Sequence, residues 1–115
     1  MEMASGLIKL RDGVEQNVTD WQLTMASRLE EVRASLVEEG VEFESWFRVN
    51  IDGAEFLLWY MRAECMQKAN EVFQNSENAI DKVHYEFLAR VTENNGHYDA
   101  EPLLDLSTVV PADCE

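Results

Sequence analysis

The sequence predicts an α+β domain in which one four-stranded antiparallel sheet carries its helices on a single face. Three observations predict it: a helical apolar period over residues 14–36, a period of two on either side of Asp52-Gly53, and a second helical period after residue 66. With 115 residues and 46% hydrophobic content the chain suits one domain, 1–115, ending in a flexible tail over 111–115.

Gly6 to Leu10 supplies a short first strand. In DGVE, Asp12 and Glu15 have capping-box spacing, which predicts that a helix starts there. Val14, Val18, Trp21, Met25, Leu29, Val32 and Leu36 follow in steps of three and four, one stripe along one long helix, and Gly40 is its C-cap.

From Val41 the side chains alternate. Val41, Phe43, Phe47, Val49 and Ile51 fall on one side, and Glu42, Glu44, Trp46, Arg48 and Asn50 on the other. Asp52-Gly53 favours a type I′ turn, so Ala54 to Ala63 returns with Ile51 opposite Ala54, Phe47 opposite Leu58 and Trp46 opposite Trp59. The expectation gives Val41, Phe43, Phe47, Val49, Phe56, Leu58 and Tyr60 to the helices and leaves Trp46, Leu57, Trp59 and Met61 on the open face. So large an apolar patch is rare on a monomer, and a second copy packed about a two-fold axis would cover it. Glu42, Glu44 and Arg48 share that face, which points either to a pocket for a small organic ligand or to charge pairs across the dimer.

A second helical region starts near Met66, with Ala69, Val72 and Phe73, then Ile80, Val83, His84, Phe87 and Val91. QNSEN predicts a break between a short helix and a longer one, with Ser76 as a cap. TENNGHYD reads as a loop and Leu103 to Val110 as the last strand. Strand, helix, strand, strand, helix, strand is the split βαβ order of ferredoxin-like folds.

The segments LIKLRDGVEQNVTDW, WFRVNIDGAEFLLWY and NSENAIDKVHYEF, in that order, resemble the dimeric α+β barrel superfamily, which includes antibiotic-biosynthesis monooxygenase-like proteins. IDKVH, Ile80 to His84, is similar to a segment of an uncharacterised bacterial family with an "IDG" hairpin. The resemblance implies a homodimeric barrel, and a superfamily that holds cofactor-free oxygenases, haem-degrading enzymes, isomerases and proteins without known activity. It would make His84 an axial haem ligand with Trp46 or Trp59 in the wall, but strand one lacks the asparagine those haem enzymes supply.

His84 lies at the edge of an apolar stripe, and Asp81 precedes it at a spacing that can orient an imidazole. The pair forms the candidate catalytic set, His84 as general base, with Glu44, Trp46, Arg48, Trp59 and Met61 as ligand-binding candidates. A structural histidine and a stabilising cross-strand tryptophan pair are the bland readings of the same residues. No metal-ligand spacing, nucleophile elbow, P-loop or dinucleotide fingerprint is present, which disfavours classical hydrolases, nucleotide phosphohydrolases and dehydrogenases. The resemblance implies a cofactor-independent oxygenase or isomerase, set against a non-catalytic binding or assembly module.

Nine Lys and Arg against 23 Asp and Glu give a net charge of −14, which repels nucleic acid and anionic membranes. The two cysteines, Cys65 and Cys114, show no disulfide-framework spacing, and neither a signal peptide nor a membrane span is legible, so a cytoplasmic setting is expected.

Overall fold

The computed structural model describes residues 2–108. Its elements are β1 (Glu2–Leu10), α1 (Glu15–Ser27), α2 (Leu29–Glu39), β2 (Val41–Ile51), β3 (Ala54–Ala63), α3 (Met66–Gln74), α4 (Ala79–Val91) and β4 (Thr92–Ala100). All neighbours are antiparallel in the order β2-β3-β1-β4, the ferredoxin-like arrangement, with β1 and β3 at the centre.

The hairpin has the expected register, with Ile51 paired to Ala54, Phe47 to Leu58 and Trp46 to Trp59. Asp52 and Gly53 take φ of 51° and 84°, as a type I′ turn requires, and Asn50 Oδ1 accepts the Gly53 N–H at 3.1 Å.

The assignment of its two faces is reversed. Trp46, Leu57, Trp59 and Met61 lie beneath the helices, while Phe43 and Phe47 on the open face are 58% and 52% exposed. Alternation sorts side chains into two sets but does not say which set meets the helices, because both sets here are apolar. The deciding partners are on other elements. Ile8 and Leu10 of β1, Val18 of α1, and Phe87 and Val91 of α4 make one core with Leu57, against which Trp21, Trp46 and Trp59 pack. Burial of each such side chain stabilises the fold by about 1.5–3 kcal/mol. Val41 escapes its strand's parity through a bulge at Glu42, which turns it inward onto Ala63 and Ala69.

The first helical region is two helices. Arg28 leaves helical geometry at φ −123° and ψ 40°, and the turn of the axis puts Leu29 in solvent, 46% exposed. Glu31 chelates the Arg28 guanidinium across the break. Beyond it the buried positions are Ser35 and Glu39, with Val32 and Leu36 half-buried. Asp12 forms no capping box, since the residue before the helix is Val14 and no side chain caps it. Gly40 ends α2 at φ 72°, its N–H reaching Leu36 and Val37 carbonyls.

The break between α3 and α4 falls at QNSEN, but the cap residue is Asn78; Ser76 Oγ accepts the Asn78 N–H instead. The last strand is displaced from its expected place. TENNGHYD, expected as a loop, forms β4, and residues 101–108 have no regular structure. The turn residues mark a bulge inside that strand: the step Ile8 to Leu10 faces the longer step His97 to Thr92, Asn95 takes φ 58°, and a Cβ on Gly96 would fall 2.7 Å from the Glu93 carbonyl oxygen. Val109, Val110 and the tail 111–115 lie outside the described residues.

Arg62 holds the segment after β4 by a bidentate pair with Asp105. Cys65 is disulfide-bonded, which removes the cysteine-based reason for expecting a reducing compartment. No helix among the described residues is long and apolar enough to cross a membrane.

Candidate functional site

A cleft of about 560 Å³ opens between α1, α2 and the inner face of the hairpin. Trp21, Met25, Val32, Leu36, Trp46 and Leu57 make its apolar walls, and Thr19, Gln22, Glu44 and Arg48 its polar positions. Met25, Val32, Leu36 and Glu44 also line a second cavity of about 30 Å³, deeper in, where α2 meets α4. That volume holds about one water molecule. Ser35, Glu39, Phe73, Ile80, Asp81 and His84 complete its lining.

Of the candidates read from sequence, Glu44, Trp46 and Arg48 stand on the cleft wall, because alternate residues of β2 share the inner face. His84 and Asp81 stand on the small cavity, one turn apart on α4. Trp59 and Met61 share that sheet face but line neither space: Trp59 packs on the main core and Met61 on the cluster under α3. The cleft therefore lies between sheet and helices, on the inner face and not on the open face to which the sequence assigned these residues.

His84 is 8% exposed, and its surroundings are aromatic. Trp21 Nε1 donates to His84 Nδ1 at 3.1 Å, Trp46 meets the imidazole edge-on at 5.2 Å, and Phe73 at 6.0 Å. Burial holds the imidazole pKa below its ordinary value, against the opposing pull of Glu44 and Asp81. Asp81 does not orient the ring as expected; its carboxyl accepts from Ser35 Oγ and Ser76 Oγ, both at 2.5 Å, and from Asn78 at 3.4 Å. Trp21, read from sequence only as part of a stripe, is the residue that orients it.

Two further groups were not read as functional. Ser35 Oγ stands between two carboxyls, 2.5 Å from Asp81 Oδ1 and 3.2 Å from Glu39 Oε1. Its one hydroxyl proton is directed at both acceptors, Asp81 being the nearer. Burial, reinforced by Glu44 and Asp81, pushes Glu39 up to about 7, against the opposing pull of the Ser35 hydrogen bond. The sequence did carry a signal: Ser35 and Glu39 are polar residues one turn apart flanking Val32 and Leu36 on the stripe itself.

Among the described residues no group of three or more His, Cys, Asp or Glu is placed to hold a metal ion. The axial haem-ligand reading of His84 does not fit either, since Trp21 occupies Nδ1 and the space His84 lines is about 30 Å³. The arrangement is suited to proton transfer: an imidazole and three carboxyls around a small space that adjoins an aromatic cleft.

The comparisons with known proteins agree with the fold. Residues 1–110 match the family of unknown function DUF6176, and the chain belongs to that family. A search of curated proteins finds none that matches. Among solved structures, the L-rhamnose mutarotase from Formosa agariphila is similar, with a TM-score of 0.59 and 19% identity over 93% of this chain and 100% of that one. At that identity the likeness concerns the fold alone.

Proposed function

We propose that the chain is a small-molecule-binding homodimer that isomerises its ligand by proton transfer in a site that uses His84, without a cofactor. The observation that carries this is the placement of a buried imidazole and three carboxyls on a small cavity that adjoins an aromatic cleft large enough for a small organic molecule. Isomerisation moves protons within one molecule and needs no electron acceptor, so residues of this kind suffice. The fold likeness to a protein named as an L-rhamnose mutarotase makes reducing sugars the natural first ligands to try. The second copy is invoked to cover the open sheet face, where Phe43, Phe47, Ile51 and Tyr98 are exposed together. The resemblance to monooxygenase-like proteins would instead have dioxygen react in the same cleft.

Two-dimensional exchange NMR on L-rhamnose and dihydroxyacetone, with native mass spectrometry of freshly purified protein, tests this. Catalysed anomer exchange or solvent-deuterium incorporation that is lost in His84→Asn is expected. A ligand retained without turnover, indifferent to His84, would leave the non-catalytic binding module as the correct reading; oxygen consumption would support oxygenation.

A further inference from the structure

Two indoles at the inner end of the cleft each hold one polar group. Trp21 and Trp46 meet edge-to-face with centroids 5.6 Å apart. Trp21 donates its N–H to His84 Nδ1 at 3.1 Å, and Trp46 donates its N–H to Glu44 Oε2 at 2.9 Å. An indole has one donor and no acceptor, so each bond fixes what its partner can do.

For the imidazole the consequence is its tautomer. With Nδ1 accepting, the neutral ring carries its proton on Nε2. His84 makes no hydrogen bond through Nε2 to any described residue, and no fully buried side-chain nitrogen or oxygen among the described residues lacks a partner. Nε2 therefore reaches accessible space, and the space that His84 lines is the small inner cavity. A buried ring beside an indole N–H meets the substrate as a hydrogen-bond donor, which a general base cannot be. Of the three carboxyls on that cavity, Asp81 already accepts from Ser35, Ser76 and Asn78, and Glu39 is bonded to Ser35. Glu44 alone also lines the larger cleft.

We propose that Glu44, positioned by Trp46, is the base of this site, and that His84, positioned by Trp21, is the neutral donor that holds the substrate oxygen. The assignment rests on the proton-transfer reading of the cleft and narrows the substrate to a small hydroxy-carbonyl compound. Glu44 takes the proton from carbon next to the carbonyl; the C–H pair becomes the new C=C bond, and the carbonyl π pair moves onto the oxygen that Nε2–H holds. Exchange of that proton with solvent, its return from Glu44 to the former carbonyl carbon, and transfer of the substrate's own hydroxyl proton to the oxygen that His84 holds complete an isomerisation with no net loss or gain of atoms or electrons. Arg48 stands two strand steps beyond Glu44 on the same face, roughly 13 Å along β2, where it can meet the far end of the molecule.

Imidazole ¹H–¹⁵N long-range NMR of the full chain at pH 7.5, with His97 as internal reference, tests the donor. The Nε2–H tautomer of His84 is expected, and Trp21→Phe should convert it to a mixture; an Nδ1–H tautomer or an imidazolium in the wild type overturns the assignment. Deuterium incorporation into dihydroxyacetone tests the base. Glu44→Gln should lower the rate by about 100-fold or more, and Trp46→Phe by less, while neither change alters the His84 tautomer. Wild-type incorporation that Glu44→Gln leaves intact overturns the roles but not the proton-transfer reading. Absence of incorporation in the wild type, with the Nε2–H tautomer present, removes that reading for this substrate class and the assignment with it.

Discussion

Gly6 and Trp59 are cross-strand partners in the central pair β1 and β3, and a Cβ on the glycine would fall 2.8 Å from Trp59 Nε1 and 3.0 Å from the Tyr98 carbonyl oxygen. The missing side chain is what lets the indole lie flat over β1 and join the core. Gly6→Ala should therefore destabilise the domain by about 1–3 kcal/mol, the usual cost of overpacking. Urea denaturation measures it, and in a double-mutant cycle with Trp59→Leu the two changes should fall short of additivity, because the smaller residue relieves part of the clash.

Glu39 predicts an unusual dependence of stability on pH. Its carboxyl is raised to about 7 in the folded chain against 4.5 for the free group, so between those values the folded state binds a proton that the unfolded state has released. This contribution is fully present near pH 4.5 and is lost as pH rises through 7. His84, with its pKa lowered by burial, acts in the opposite direction, its contribution fading as pH falls below 6.5. Glu39→Gln isolates the first effect: relative to wild type, the variant should gain about 1–2 kcal/mol between pH 5 and pH 8, a figure discounted for partial solvent screening, as read by chemical denaturation at both values.

The open sheet face predicts an oligomeric state. Phe47→Asp places a charge where the side chain is already half in water, so the folded monomer should survive, whereas an apolar contact between two copies should not. Sedimentation at micromolar concentration should show a dimer for the wild type and a monomer for the variant, with unchanged circular dichroism. A wild-type monomer would remove the second copy from the proposal.

Gly53 takes φ of 84°, where a side chain meets the backbone. No heavy atom lies within 4 Å of a Cβ placed there, so Gly53→Ala isolates the conformational cost, about 1–2 kcal/mol by thermal or urea unfolding. Replacement of Asp52, at φ 51°, by Asn should be nearly neutral, since asparagine tolerates the same region.

The hairpin was the most legible part of the chain because its register is set locally, by a two-residue turn that needs two positive φ values, and Trp46 opposite Trp59 follows by counting. Which face met the helices was not legible. That choice depends on partners distant in sequence, Ile8 and Leu10 of β1, Trp21 and Phe87, and on the glycine that clears room for Trp59. The end of the chain misled for a related reason: Asn95-Gly96 are turn residues in either case, and only the pairing of His97 with Ile8 makes them a bulge in a strand. At the site, β2 periodicity located Glu44, Trp46 and Arg48, and the α4 stripe located His84. The partner of the imidazole escaped because hydrogen bonds between side chains 63 residues apart leave no local spacing. Ser35 and Glu39 were hidden by the assumption that a stripe is apolar throughout.

The non-helical joint at Arg28 sets the aperture of the cleft. Trp21 and Met25 stand on one rod and Val32 and Leu36 on another, so the angle between the two helices fixes the width of the opening over its floor of strands. A substitution that straightens the joint would reshape the entrance without touching a single residue that borders it.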